Sequence, residues 1–244
     1  MDPRSTTLFA TGVSGFVGRA LLARLAPRRV SDGKGERPTR VIGLSRNVTA
    51  MSLPNVELVR GDLLRPEAWS KHLEGAGVVL HAAAATGKLR PEEYERVNVE
   101  GTRALIEACR RAGVRHLRYV SSIAVTYPEL ERYPYGRSKH AAEELVRQSG
   151  LSWSILRPTI VLGRRSALWR SLRGLACLPL IPVFGAGTVR VQPIDVDDLC
   201  DVLADWIFDE ALAGGTFDAL RGDGDARDTW RAYHLIGDSM RAAP

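Results

Sequence analysis

Short apolar runs alternate with longer amphipathic segments along most of this chain. The apolar runs carry few polar positions on either face, which is typical of strands buried on both sides of a sheet. The segments between them show the spacing of helices with one apolar face. We predict strands at 7–10, 40–45, 56–60, 77–81, 116–121 and 152–156, and helices at 16–25, 66–73, 91–112 and 135–149. This alternation predicts an α/β fold with a parallel sheet that is covered by helices on both faces.

Two regions depart from this pattern. The segment 27–40 is rich in Arg, Gly and Pro and is predicted to be a long, exposed and mobile loop. After Pro158 the pattern loosens. We predict helices at 166–175 and 195–208, a short strand at 189–192, and a weakly patterned end at 222–244 that is either partly disordered or helical over 226–240. We therefore expect a main domain over 1–160, and over 161–244 a small C-terminal lobe that is not an independent domain.

The first strand runs into a glycine-rich turn. Gly12 lets the chain turn sharply, Gly15 lets a pyrophosphate approach the backbone, and Gly18 allows the following helix to pack closely on the sheet. The free N–H groups and the positive end of the helix dipole would face the phosphates. No Gly-Lys-Ser/Thr follows, which excludes a nucleoside-triphosphate P-loop. A glycine triplet alone also fits an ordinary strand-to-helix turn, so a Rossmann-type dinucleotide fold depends on the later segments.

The strongest catalytic signal is Tyr135-x-x-x-Lys139, because residues at i and i+4 share one helix face. An ammonium beside a phenol favours the phenolate, so we expect Lys139 to lower the pKa of Tyr135 from about 10. The phenol could then exchange a proton with an alcohol or a carbonyl. Ser122 lies 13 residues before Tyr135, close enough along the chain for the two hydroxyls to meet. The spacing is also common on helix surfaces, so its place after the fifth strand carries the argument.

Eight short motifs occur together in one order along residues 7 to about 200. They are Thr11-Gly12-x-x-Gly15-x-x-Gly18, Gly61-Asp62-Leu63, His81-x-Ala83-Ala84, Asn98-Val99-x-Gly101-Thr102, Ser121-Ser122, Tyr135-x-x-x-Lys139, Arg157-Pro158 and Asp197-Asp198. With these motifs the chain resembles the short-chain dehydrogenase/reductase superfamily, in its extended and atypical branch of NAD(P)-dependent epimerase/dehydratase-like proteins. The resemblance implies a Rossmann-type doubly wound parallel sheet over 1–160 that binds NAD(P), with a small substrate-binding lobe over 161–244.

The resemblance also implies catalytic roles. Tyr135 would be the general acid/base, and Lys139 would bind the nicotinamide ribose and tune Tyr135. Ser122 would hydrogen-bond the substrate oxygen, with Ser121 as a weaker candidate. Asn98 would help to order a proton relay near the lysine, or would only brace its helix.

For the cofactor, the resemblance implies that Asp62 and Leu63 flank the adenine, Ala83 the ribose, and Pro158 the nicotinamide pocket. The expected cofactor-binding residues are Gly12, Ser14, Gly15, Phe16, Val17, Gly18, Ser45, Arg46, Asp62, Leu63, Ala82, Ala83, Ala84, Lys139 and Pro158. We interpret His81 as a packing residue, and Asp197 and Asp198 as residues that begin a helix.

The end of the second strand bears on the choice between NAD(H) and NADP(H). NAD enzymes usually place Asp or Glu there to bind the ribose 2′-hydroxyl. This chain has Ser45-Arg46 instead, and a guanidinium suits a 2′-phosphate. We therefore predict NADP(H), unless Arg46 is simply one more surface arginine.

The formal net charge is +6, but residues 195–244 carry −8 and the rest of the chain +14. A basic body suits an anionic small ligand such as a dinucleotide. The sequence contains no basic stripe interleaved with aromatic residues, so we expect no nucleic-acid partner. The three cysteines, Cys109, Cys177 and Cys200, show no metal or disulfide spacing, so we expect no metal and a reducing compartment. No signal peptide or apolar run of membrane-spanning length is evident, which predicts a cytoplasmic protein without a membrane partner.

These features favour an NADP(H)-dependent oxidoreductase that interconverts a carbonyl and an alcohol on a small-molecule substrate by a Ser-Tyr-Lys mechanism. Only 86 residues follow Pro158, so a large nucleotide-sugar lobe is not expected. Ile123-Ala124 stands where the related dehydratases carry Asp-Glu. Two alternatives remain open: a nucleotide-sugar epimerase that retains its cofactor, and a non-catalytic NADPH-binding accessory protein. A homodimer through the helices 91–112 and 135–149 is possible.

Overall fold

The computed structural model describes residues 7–31, 36–47, 53–177, 193–209 and 216–217. The strands are β1 (Thr7–Thr11), β2 (Arg29–Ser31), β3 (Glu36–Pro38), β4 (Arg40–Ser45), β5 (Val56–Arg60), β6 (Val78–His81), β7 (His116–Val120), β8 (Ser152–Leu156), β9 (Ile160–Leu162), β10 (Pro193–Asp195) and β11 (Thr216–Phe217). The α-helices are α1 (Phe16–Leu25), α2 (Pro91–Tyr94), α3 (Gly101–Ala112), α4 (Pro134–Arg147), α5 (Ala167–Ala176) and α6 (Val196–Phe208).

Seven strands form one parallel sheet in the order β11-β8-β7-β6-β1-β4-β5. Strand β1 lies inside the sheet and pairs Phe9 with Ile42 of β4 on one side and with Val79 of β6 on the other. The chain runs from β1 to β4 and β5 on one side, and then crosses to β6 on the other side, so the strand order reverses at β1. A doubly wound sheet places its ligand crevice at that point, beyond the carboxyl ends of the strands. The α/β fold with a parallel sheet is confirmed. All six predicted strands are present, and β11 adds a seventh.

Both faces of the sheet are buried, which explains the continuous apolar runs. Alternate residues of β1 point to opposite sides, so Phe9 packs with Trp69 and Leu105 in one core. Leu8 packs with Leu22 and Trp206 in the other, beneath α1 and α6. Helix α6, from the segment assigned to the C-terminal lobe, thus lies beside α1 on the main sheet. The division at residue 160 stays a prediction.

The prediction of a loop at 27–40 was partly wrong. The segment contains an antiparallel hairpin of β2 and β3, with Arg29 opposite Pro38. The ladder pairs backbone N–H and C=O groups that a loop would leave to water. The predicted strand 189–192, helix 226–240 and end segment 222–244 lie outside the described residues.

The predicted helix 91–112 is continuous but not uniform. Between α2 and α3 lies one π-helical stretch, Glu95–Glu100, which widens the helix where it meets the site. Gly113 ends α3 with a φ of 68°, as a glycine C-cap requires. The predicted helix 66–73 is two short 3₁₀-helices, Pro66–Ala68 and Ser70–Leu73. In the part of the chain that the structure describes, no helix is long and apolar enough to cross a bilayer.

Candidate active site

A groove of about 220 Å³ opens beyond the carboxyl ends of β1, β4, β5 and β6. Ten of the predicted cofactor residues line it: Gly12, Ser14, Gly15, Ser45, Arg46, Asp62, Leu63, Ala82, Ala83 and Ala84. Thr11, Leu44, Gly61, Leu64, Arg96 and Val97 complete the lining. The groove thus lies where the strand order predicts a dinucleotide, along the glycine turn and the ends of four neighbouring strands.

The turn at Gly12 requires glycine for two reasons. Its φ is +78°, and a Cβ there would lie 2.5 Å from the carbonyl carbon of Ala82. Gly18 is also required, but not for the predicted reason. A Cβ on Gly18 would lie 2.2 Å from the carbonyl oxygen of Gly12, so this glycine packs α1 against the turn rather than against the sheet.

Three predicted cofactor residues at the start of α1 do not line the groove, namely Phe16, Val17 and Gly18. Gly18 is covered by the turn, and the carbonyl oxygen of Val17 accepts a weak hydrogen bond from the thiol of Cys200 on α6 at 3.8 Å. The Phe16 ring packs on the far side of the helix start, close to Gly163. These residues hold the turn in place, whereas Ser14 and Gly15 present their backbone to the groove.

The end of β4 forms the rim of the groove. The Ser45 hydroxyl donates to the carbonyl of Asn47 at 2.8 Å and accepts from its N–H at 3.3 Å, so its proton is used within the turn. Arg46 is exposed beside it. A second guanidinium, Arg96 of the π-helical stretch, also lines the groove and is exposed. Sequence reasoning missed Arg96, because a position on a solvated helix face carries no motif.

The neighbouring wall is built around Asp62. Its carboxylate accepts from the N–H of Leu64 at 3.0 Å, and its carbonyl accepts from the Trp69 indole at 2.7 Å. Trp69 is fully buried. The wall that the resemblance assigns to the adenine is therefore fixed by hydrogen bonds to both the carboxylate and the main-chain carbonyl of Asp62.

The structure brings Ser122 and Tyr135 close enough together for the serine to act on the pKa of the phenol. Ser122 begins the 3₁₀-helix Ile123–Thr126, and its oxygen also accepts from the N–H of Ala124 at 3.2 Å. Burial raises the pKa of Tyr135, and the neighbouring Ser122 side chain only partly offsets this. The phenol is therefore held protonated at neutral pH.

Lys139 is directed toward the end of β7. It is 1% exposed, and its Nζ donates to the carbonyl of Val120 at 2.9 Å and lies 4.2 Å from the ring centroid of Tyr119. Burial lowers the pKa of Lys139 to about 7, against the opposing effect of Glu143. The expected lowering of the Tyr135 pKa is thus wrong for this structure, because the pKa of Tyr135 lies above 10 and the ammonium is committed to the end of β7.

A buried ion pair one turn beyond Lys139 was not anticipated. Glu143 on α4 is fully buried and accepts two hydrogen bonds from Arg157, at 2.8 and 2.6 Å, and one from Arg147 at 2.8 Å. Burial alone would raise the pKa of Glu143, but the two arginines outweigh it and the pKa lies below its ordinary value. The sequence suggested only an Arg157-Pro158 motif, since charged residues so far apart give no sign that they will pair.

Asn98 joins the groove wall to α4. Its side-chain oxygen accepts from the N–H of Ala85 at 2.7 Å, and its amide nitrogen donates to the carbonyl of Ala85 at 3.3 Å and to Ser138 at 2.9 Å. Ser138 is the residue before Lys139. The position of Asn98 fits either interpretation from the sequence, a relay near the lysine or a brace, and the hydrogen bonds in this structure are those of a brace.

A chain of buried hydrogen bonds runs from the groove through His81 to Asn98. The N–H of Ala83 donates to Thr11, Thr11 contacts Nδ1 of His81 at 2.8 Å, and Nε2 of His81 contacts Thr102 at 2.8 Å. Thr102 donates to the carbonyl of Asn98 at 2.6 Å. These directions require a neutral His81 with its proton on Nε2. Burial, and then the charge of Lys139, lower the pKa of His81 to about 3, so it is a structural residue at neutral pH.

Pro158 does not line the groove but lies beside the hydroxyl pair. Its carbonyl accepts from the N–H of Ile123 at 2.9 Å, the residue after Ser122. Asp195 caps α6 through its carboxylate, which supports the interpretation of Asp197 and Asp198 as first-turn residues. Within the described ranges no three His, Cys, Asp or Glu side chains are grouped to hold a metal ion.

This arrangement, a glycine turn, a dinucleotide groove and a Ser-Tyr pair with a buried lysine, defines a nucleotide-dependent enzyme of the short-chain dehydrogenase/reductase type. The chain belongs to the NAD dependent epimerase/dehydratase family, whose model matches residues 8–217. The predicted resemblance is confirmed, and with it an oxidoreductase-like, NAD(P)-dependent enzyme. A model of the N-terminal domain of the anti sigma-E protein RseA also matches residues 203–244, of which the structure describes only 203–209 and 216–217.

Among curated proteins, the chain is 33% identical to a ceramide reductase of Caulobacter vibrioides, over 95% of this chain and 71% of that protein. It is 29% identical to a 2-alkyl-3-oxoalkanoate reductase of Stenotrophomonas maltophilia, over 85% of this chain and 66% of that protein. It is also 29% identical to the human 3 beta-hydroxysteroid dehydrogenase type 7, over 66% of this chain and 51% of that protein. The chain therefore spans only about half to seven-tenths of these relatives.

Two solved structures illustrate the similarity in fold. MoeE5 in complex with UDP-glucose and NAD is 27% identical and aligns with a TM-score of 0.65 over 86% of this chain and 74% of that chain. A short-chain dehydrogenase/reductase superfamily protein from Agrobacterium tumefaciens with bound NAD is 25% identical, with a TM-score of 0.66 over 86% of this chain and 76% of that chain.

Proposed function

We propose that this protein is an NADP(H)-dependent oxidoreductase that interconverts a carbonyl and an alcohol on a small molecule. The closeness of Ser122 and Tyr135 carries the proposal, because one hydroxyl can position a carbonyl oxygen and the other can donate a proton to it. The groove lies beyond the carboxyl ends of strands of the same sheet. The names of three relatives, two reductases and one dehydrogenase, support a redox reaction of this kind. We assign cofactor binding to 1–160 and substrate binding largely to 161–244.

Each residue has a defined part in the proposed reduction. The nicotinamide, when bound, supplies the hydride that reaches the carbonyl carbon. Ser122 hydrogen-bonds the carbonyl oxygen, and Tyr135 transfers its phenolic proton to that oxygen as the alcohol forms. The raised pKa of Tyr135 suits a general acid, since the proton is in place at neutral pH. Lys139 would hold the nicotinamide ribose. Asn98 would hold α4 in position against the segment at Ala85 through its hydrogen bonds to both.

Arg46 and Arg96 support a preference for NADP(H), because both line the groove and β4 ends without a carboxylate. Hydrogen bonds to charged groups contribute roughly 1.5–3 kcal/mol, so Arg46→Ser should weaken NADPH binding by about 10- to 100-fold and leave NADH binding nearly unchanged. Arg103→Ser is the matched control, since Arg103 is an exposed arginine on α3 paired with Glu100. Tighter binding of NADH than of NADPH to the unaltered protein would overturn the preference.

The reaction itself is tested by following NADPH oxidation with a panel of aldehydes and ketones. Turnover that depends on Tyr135 supports the proposal. The identity with MoeE5, solved with UDP-glucose and NAD, favours a nucleotide-sugar epimerase as the second candidate. That candidate predicts nicotinamide retained in the purified protein and conversion of a UDP-sugar without added cofactor. Tight NADPH binding without any turnover would instead indicate an accessory protein. A homodimer through α3 and α4 stays a prediction.

A further inference from the structure

Four tyrosines form a continuous row that leads from the hydroxyl pair to the surface. Tyr94 and Tyr133 each meet the ring of Tyr135 edge-on, with ring centroids 5.9 Å away. Tyr127 stacks on Tyr133 with a centroid distance of 6.1 Å and an angle of 13° between the ring planes. Tyr94 is buried, whereas Tyr127 and Tyr133 are 44% and 42% exposed. The exposed part of the row therefore begins one ring away from the proposed general acid.

The exposed pair is held in place from both ends. Tyr127 follows the 3₁₀-helix that Ser122 begins, and its N–H donates to the carbonyl of Ala124 at 3.3 Å. Tyr133 precedes α4, and its N–H donates to the carbonyl of Leu130 at 2.9 Å. The elements that carry the two rings are thus the elements that position Ser122 and Tyr135. Exposed aromatic rings held this firmly beside a reactive group form a surface on which a ligand can pack.

The charges around the pair are neutralised. Arg132 pairs with Glu129 at 3.0 Å, and Arg137 pairs with Glu131 at 3.8 Å. Burial, then the neighbouring Tyr127 and Tyr94, raise the pKa of Tyr133, so its phenol is neutral at physiological pH. Because both guanidiniums already have carboxylate partners, this surface suits an apolar group better than the diphosphate of a nucleotide sugar.

We propose that Tyr127 and Tyr133 form a substrate subsite that binds an apolar substituent, an alkyl chain or ring system, of the carbonyl compound. A carbonyl oxygen held by Ser122 and Tyr135 places one substituent of the carbonyl carbon along the row, next to Tyr133. The rest of this substituent then lies across the stacked rings of Tyr133 and Tyr127. The subsite rests on the proposed function for the position of the carbonyl, and it extends that function to a hydrophobic substrate class.

The test measures binding without turnover. Straight-chain methyl ketones from butanone to decanone are titrated into the protein saturated with NADP⁺, which cannot reduce them, and affinity is measured by calorimetry. Burial of one CH₂ contributes about 0.8 kcal/mol, or roughly fourfold, and about half of that on a half-open wall. We expect affinity to rise about two- to fourfold per CH₂. In the Tyr127→Ala/Tyr133→Ala variant this dependence should largely disappear, with butanone binding unchanged within about twofold.

The matched control is Tyr127→Phe/Tyr133→Phe, which keeps both rings and should keep the dependence on chain length. The single variant Tyr127→Ala, farther from Tyr135, serves if the double variant does not fold. If affinity increases with chain length equally in the alanine variants and the unaltered protein, the subsite proposal is wrong. It is also wrong if affinity for the unaltered protein does not increase with chain length. If affinity increases with chain length as expected but NADPH never reduces the ketones, only the proposed function is wrong. If the ketones are reduced at rates that do not depend on chain length, only the subsite proposal is wrong.

Discussion

Replacing Glu143 by Gln should lower the pKa of Lys139, because the carboxylate lies one helical turn beyond the lysine on the same face of α4. Side chains at this spacing are about 6 Å apart, and two unit charges at that distance interact by about 3 kcal/mol at an effective dielectric constant of 20. This corresponds to about two pH units. The arginine that loses its partner, Arg157, adds repulsion in the same direction. The pKa of Lys139, about 7 in the unaltered protein, should therefore fall toward about 5.

The pH dependence of NAD⁺ binding measures this change, because the proposed role of Lys139 has its protonated form donate to the ribose. Few other groups near Lys139 titrate between about pH 5.5 and 9. The pKa of His81 is about 3, those of Tyr119 and Tyr135 lie above 10, and Glu143 is already ionised. In calorimetric titrations, affinity for the unaltered protein should fall as the pH rises through about 7. For Glu143→Gln the fall should begin about two units lower.

Glu144→Gln provides the matched control, since Glu144 is the next residue of α4 and pairs with Arg147 at the surface. Its midpoint should coincide with that of the unaltered protein. Glu143→Gln should also lower the free energy of unfolding by about 3–5 kcal/mol, since it leaves a buried arginine without its carboxylate. If the two variants show the same midpoint, Glu143 does not act on Lys139, and the electrostatic reasoning fails.

Two further predictions concern the groove wall. Gly12→Ala should abolish dinucleotide binding and lower the melting temperature, since its Cβ would lie within 2.6 Å of three backbone atoms of Ala82 and Ala83, whereas Gly174→Ala, with nothing within 4 Å, should leave binding unchanged. His81 stays neutral in the folded chain down to about pH 3 but is protonated below about 6.5 when unfolded. His81 should therefore lower the free energy of unfolding by up to about 1.4 kcal/mol for each pH unit below 6.5. In urea titrations, the free energy of unfolding of His81→Gln should depend less steeply on pH than that of the unaltered protein.

The sheet and the glycine turn were predictable because local rules fix them. The inner strands β1, β4 and β6 are buried on both faces and are therefore largely apolar runs. Gly12 and Gly113 occupy positions with positive φ that glycine tolerates best. The closeness of Ser122 and Tyr135 could be expected from the short connection between the end of β7 and the start of α4. These features need only neighbouring residues and the order of the strands.

The remaining features depend on contacts between distant segments. The pairing of Glu143 with Arg157 is set by tertiary packing, and a charged residue on a helix is expected at the surface unless its partner is known. The direction of Lys139 depends on the carbonyl that ends β7, since a side chain with four rotatable bonds has several acceptors within reach. No sequence pattern marks the π-helical stretch Glu95–Glu100, which carries Arg96 into the groove.

The proposed proton transfer by Tyr135 is tested most directly by Tyr135→Phe, with a ketone that the unaltered protein reduces. Removing one hydroxyl should lower kcat by about 10²- to 10⁴-fold, while the Kd for NADPH changes by less than about threefold, because the phenol transfers a proton and does not hold the dinucleotide. Tyr133→Phe, which removes a hydroxyl one ring away, should retain the rate. An unchanged kcat in Tyr135→Phe would contradict the proposed mechanism.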